Sequence, residues 1–156
     1  MNKTKSELSN KTKPALSNKT KGEIESEICE ALIKFEREYM GRGPEEARTY
    51  ILDDLIIVRL RGVLTPAERQ LVKSEVAGHG RNLIKQVRME LIEKARPLLE
   101  VLVHDITGQH VKSLHTDIST ATGERIIVFS LARPYVFQGA TADIPTRCVR
   151  VTKCNR

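Results

Sequence analysis

The chain has no tryptophan, three phenylalanines, three tyrosines and three cysteines in 156 residues. So few aromatics leave no platform on which successive bases could stack, which argues against a groove for single-stranded nucleic acid. The cysteines, Cys29, Cys148 and Cys154, are odd in number and scattered. That fits a reducing compartment and not a disulfide framework. Cys148 and Cys154 have no second pair and no nearby histidine, so they read as two free thiols in a tail and not as a zinc site. No run of about 18 apolar residues occurs, and the start is polar and lysine-rich where a secretory signal needs an apolar stretch. We therefore expect a cytoplasmic protein without a transmembrane segment. Also missing are a G-x-S-x-G elbow, an HExxH helix, a Walker A loop and a dinucleotide fingerprint. No residue offers itself as a nucleophile, and the expectation is no catalytic residue, no metal and no cofactor.

What is present first is charge, a formal +6 overall, and its position matters more than its size. Residues 1–22 hold six lysines against one glutamate, and residues 133–156 hold five Lys/Arg against one aspartate. Those segments carry +5 and +4, which leaves −3 for residues 23–132. Any attraction to nucleic acid or anionic lipid is thus expected only through the basic arms. The first arm repeats with a period of eight, as NKTKSELS from Asn2, NKTKPALS from Asn10 and NKTKGEIES from Asn18. It offers too little apolar surface to offset the entropy of ordering, so residues 1–22 are expected to be a disordered repeat arm and 133–156 a basic tail.

Between the arms the hydrophobic periods change in order. Ile24, Ile28, Ala31, Leu32, Phe35 and Tyr39 recur at helical spacing, with Glu23, Glu25 and Glu27 near the start and Glu30, Lys34, Glu36 and Arg37 placed outside the stripe. Gly41-Arg42-Gly43-Pro44 stops that helix. Two β-prone runs follow, Ala47–Asp53 and Leu55–Arg61, turning at Asp53-Asp54. Thr65-Pro66-Ala67-Glu68 then reads as a helix start, with a cap, proline at the first position and a glutamate three residues after the threonine. The stripe Ala67, Leu71, Val72, Val76 breaks at Gly78-His79-Gly80 and resumes from Leu83 to Leu102, with a kink expected near Pro97 and an end at Thr107-Gly108. Last come strands over Gln109–Ile118 and Glu124–Leu131, and a short further strand near Thr146–Val151.

The same order, helix, glycine cap, strand, polar turn, apolar strand, thus occurs twice. It predicts an α+β fold in a single domain, ordered α-ββ-α(broken)α-ββ, with one four-stranded antiparallel sheet and helices on one face. Leu55–Arg61 is apolar on most of both faces, and a strand of that kind wants cover on both sides. The face without helices is therefore the expected surface of a homodimer.

Gly41-Arg42-Gly43-Pro44 followed by Ala47-Arg48-Thr49, then Leu64-Thr65-Pro66-Ala67-Glu68, then Thr107-Gly108 before a strand, resembles the MpsC family over about residues 23–132. That family is named for a sodium-translocating, membrane-potential-generating system. The resemblance implies an accessory to sodium or bicarbonate transport, peripheral to the membrane and with a membrane transporter as partner. It brings no catalytic residues with it.

Three functional readings follow. The first is a non-enzymatic, homodimeric accessory or regulatory domain. The second is a hub whose basic arms bind nucleic acid or an anionic surface. The third is a small-anion-binding or hydrolytic site, with the backbone at Gly43, the guanidinium groups of Arg42 and Arg48, and His79 as its binding residues. His104, His110 and His115 lie near Asp105 and Asp117, and in a strand His115 and Asp117 would share a face with Val111 and Ser113. No metal-ligand spacing supports a site there.

Overall fold

The computed structural model describes residues 19–73 and 78–137. Most of the repeat arm, Cys148, Cys154 and the expected strand near Thr146–Val151 lie outside the described residues. Helix α1 (Lys21–Tyr39) starts inside the third copy of the repeat. The Thr20 side chain accepts from the Glu23 backbone, and the Glu23 carboxylate accepts from the Thr20 backbone N–H at 2.6 Å. Ile24, Ile28, Leu32 and Phe35 form its buried stripe. Met40 caps its end, and Gly41 takes the left-handed conformation (φ +79°) that turns the chain away.

Strands β1 (Glu46–Leu52) and β2 (Leu55–Arg61) form a hairpin with Asp53 in the left-handed region at its turn. Helices α2 (Pro66–Lys73) and α3 (His79–Thr107) follow, then β3 (Val111–Ser119) and β4 (Glu124–Leu131). The four strands lie in the order β1-β2-β4-β3, antiparallel throughout. The chain is thus two helix-and-hairpin units joined by α2, meeting at the central pair β2 and β4, where Val58 stands opposite Ile127. Helix α1 packs over β1, α3 packs over β3, and the two helices touch each other, so all the cover is on one face.

The core lies between that face and the helices. Ile51, Ile56, Val58, Leu60, Leu114, Ile118, Ile127, Phe129 and Leu131 point up from the sheet against the α1 stripe and against Ile84, Ile92, Ala95, Leu99 and Val103 of α3. Each of these Ile, Leu, Val and Phe side chains contributes about 1.5–3 kcal/mol by leaving water.

The structure corrects three local expectations. Helix α3 begins at His79, after a left-handed Gly78, so Gly80 belongs to the helix and is not part of a break. A Cβ on Gly80 would stand 2.3 Å from the Leu71 carbonyl oxygen, so this glycine is what lets α2 cross α3 closely. In β3 a bulge lies between Val111 and Ser113, and Val111 packs against the core and does not share the face of His115. Glu36, expected outside the α1 stripe, is fully buried, because it stands four residues after Leu32 on the same side of the helix.

Candidate functional site

That buried Glu36 heads a cluster of charges at the centre of the helix layer. Arg125 on β4 donates from Nη1 to Glu36 Oε1 at 2.7 Å, with both side chains out of solvent. Arg88 on α3 brings Nη1 to within 3.8 Å of Glu36 Oε2. Its other edge grips Glu68 of α2 as a fork, Nε to Oε1 at 2.8 Å and Nη2 to Oε2 at 2.7 Å, and Nη2 also donates to the Val63 carbonyl. Glu68 is at the same time the acidic arm of the capping box that opens α2, accepting from the Thr65 backbone N–H at 2.7 Å.

Burial by itself would raise the Glu68 carboxyl, but the Arg88 fork and the Thr65 N–H outweigh it and hold the group below the usual glutamate range. Burial pulls the Arg125 guanidinium below the ordinary arginine range, against the attraction of Glu36. Two cations and two carboxylates balance, and the cleft beside them, lined by Lys85, Thr116 and Asp117 among others, has a volume of about 10 Å3. That is room for a water-sized group only. The cluster ties α1, α2, α3 and β4 together, and it has no space for a substrate.

The residues singled out from the sequence as an anion site are dispersed over the fold. Arg42, in the α1–β1 turn, pairs with Glu45 at 2.9 Å, and Glu45 also takes Arg69 of α2 at 3.1 Å. Gly43 packs against the Arg37 side chain, 3.6 Å from its Nε to where a Cβ would be. Arg48 lies on the helix-free face of β1 and pairs with Glu46 at 2.7 Å. His79 is the exposed first residue of α3. Among the described residues no hydrogen bond or ion pair links Arg42, Arg48 and His79 to one another. The rings of His104 and His110 lie tilted against each other with centroids 4.6 Å apart, while His115 contacts Ser113 on the far face. Among the described residues no group of three His, Cys, Asp or Glu comes together as a metal site. Cys29 is half-buried, and burial pushes its thiol up, which leaves little thiolate for chemistry.

The helix-free sheet face is the other organised surface. Its middle is apolar: Tyr50 and Leu52 on β1, Leu55 and Ile57 on β2, Ile126 and Val128 on β4. Tyr50, Ile57, Val128 and His115 form one cross-strand row, and Arg48, Arg59, Ile126 and Asp117 form the next. One end is closed by a ladder of ion pairs in which Arg61 meets Glu46 at 3.0 Å and Arg59 meets Glu124 at 2.6 Å. No helix of the described residues covers this face or is long and apolar enough to cross a membrane.

The fold and these two surfaces define a small α+β domain with a clamped helix layer and an uncovered sheet. Residues 20–133 match the family described as Na+-translocating membrane potential-generating system (MpsC), and the chain belongs to that family. It is also 48% identical over 110 residues to the uncharacterized protein YbcI of Bacillus subtilis (strain 168), an alignment that covers 70% of this chain and 86% of that protein. No solved structure matches the chain.

Proposed function

We propose that the domain is a non-enzymatic, homodimeric accessory of a sodium-translocating, membrane-potential-generating system, paired with its second copy through the helix-free sheet face. The uncovered apolar middle of that face carries the reading, because strands apolar on both sides need cover on both sides. The charges support a second copy as the cover. Turning one sheet over onto another about an axis parallel to the strands sets Ile57 against Val128, and it sets Arg48 at one edge against Asp117 at the other. The partner system enters from the family's description, and the balanced charge cluster, whose cleft has room for a water-sized group only, supports a non-enzymatic role.

Sedimentation equilibrium tests the pairing. Replacing Ile57 and Val128 together by lysine should halve the assembly mass while the circular dichroism stays unchanged; an unchanged mass refutes the pairing. The physiological link is tested in membrane vesicles from cells deleted for the chain, which should show a reduced sodium-dependent potential. An unaltered potential would refute it.

A second reading rests on the charge carried by the arms. Six lysines in residues 1–22 supply a salt-sensitive, sequence-independent attraction to anionic polymers or lipid. Binding to phosphatidylserine vesicles or duplex DNA that is undiminished by removal of residues 1–18 and 138–156, which takes away four of those six lysines, would end that reading.

A further inference from the structure

We infer that the solvent side of α3 is a second self-association seam, which receives α3 of another copy in antiparallel orientation. At 29 residues the helix is about 43 Å long. One side is fixed to the sheet by Ile84, Arg88, Ile92, Ala95, Leu99 and Val103. On one flank, about a third of a turn round from that side, Leu83, Val87, Leu98 and Val101 are 43, 48, 53 and 55% exposed, with Leu91 half-buried and Lys94 between them. From Val87 through Leu91, Lys94 and Leu98 to Val101 the steps alternate between four and three, the spacing of a coiled-coil seam and not of scattered surface residues. Leu83, Val87, Glu90, Leu91 and Lys94 also border an open groove of about 300 Å3.

The seam reads alike in both directions, and this selects the occupant. Laid antiparallel on itself, it sets Leu83 against Val101, Val87 against Leu98, and Glu90 against Lys94, each of these twice. Glu90 and Lys94 form no ion pair within the chain among the described residues, so both charges are free to pair across the seam. A parallel arrangement would instead put Lys94 beside Lys94 and Glu90 beside Glu90, which like-charge repulsion disfavours. The seam lies on α3 and not on the open sheet face, and it does not depend on pairing there. Two different two-fold interfaces on one chain build a tetramer when their axes cross at right angles.

The full-length chain is examined by sedimentation equilibrium. Val87→Glu with Leu98→Glu should halve the assembly mass with helix content unchanged. Lys94→Glu alone and Glu90→Lys alone should each weaken association roughly tenfold, and the two combined should restore it to within about threefold of the wild type. Such rescue by charge exchange is not available to a variant that merely misfolds. A mass unaffected by Val87→Glu with Leu98→Glu, or a charge-exchanged protein no tighter than its single variants, overturns the seam. Halving by the α3 variants but not by the Ile57 and Val128 variants keeps this seam and discards the sheet interface; the reverse result does the opposite.

Discussion

Arg125 on β4 and Glu36 on α1 meet at 2.7 Å across 89 residues of sequence, and neither side chain reaches solvent. The pair joins the central strand of the second helix-and-hairpin unit to the helix of the first. Arg88 approaches the same carboxylate, so the single Glu36 faces two guanidinium groups at the point where the halves meet. Removing one member strands an uncompensated charge in the core, whereas removing the set together does not.

Glu36→Ala should therefore lower the unfolding free energy in urea by about 3–5 kcal/mol. Glu36→Leu combined with Arg125→Met should recover most of that loss, since similar apolar volume often replaces a buried pair at little cost. A double variant as unstable as the single one would mean that the charges themselves are required.

The Glu68 fork makes a prediction in pH. Its carboxyl is held below the usual value in the folded chain, so between the two values the unfolded state binds more protons and stability rises with pH. The contribution is complete above the unfolded glutamate value of about 4.3 and is lost as pH falls through the lower folded value. Glu68→Gln should cost about 1–3 kcal/mol at neutral pH. The gap from wild type should shrink as denaturation is measured at progressively lower pH below about 4.3, and a gap constant with pH would rule out the fork as its source.

Much of the scaffold was legible in the residues. The alternation of Ile56, Val58, Leu60 and of Ile127, Phe129, Leu131 located β2 and β4, because period two survives wherever one sheet face is packed. Thr65 and Glu68 announced the start of α2 through a local motif. The charged cluster was not read, although its signal was there: Glu36 falls four residues after Leu32, Arg88 four before Ile92, and Arg125 two before Ile127. Each occupies a core position of its own element. That the three converge is a fact of tertiary packing, which no single period encodes. Arg42 is the opposite case: its carboxylate partner Glu45 lies three residues away and answers the charge locally.

Gly80 tests the crossing of α2 over α3. Alanine is the better helix former by about 1 kcal/mol, so on local grounds Gly80→Ala should stabilise α3. Its Cβ would meet the Leu71 carbonyl oxygen at 2.3 Å, however, and a backbone atom cannot swing aside as a flexible side chain would. Helix α2 buries none of its own residues fully, so it should be the part that yields. The expected result is faster amide hydrogen exchange across residues 66–73, a net loss of about 1–3 kcal/mol, and unchanged protection in β2 and β4. Unchanged exchange in α2 would show that the crossing has slack.

Thr20 and Glu23 make the last prediction, at the point where the repeat enters the fold. Each satisfies the other's backbone N–H, and the Glu23 carboxyl is held below its usual range first by the Thr20 backbone N–H and then by the Thr20 hydroxyl. Thr20→Ala removes one arm and should cost about 1 kcal/mol. Because the arms are reciprocal, Glu23→Ala should cost less in the Thr20→Ala background than in the wild type, and the double-mutant cycle measures that difference directly. Lowering the pH through the folded Glu23 value should erase the coupling, since a protonated carboxyl accepts more weakly from the Thr20 N–H. Strictly additive losses at neutral pH would mean that the two residues act separately, and that the third repeat copy ends in a simple cap.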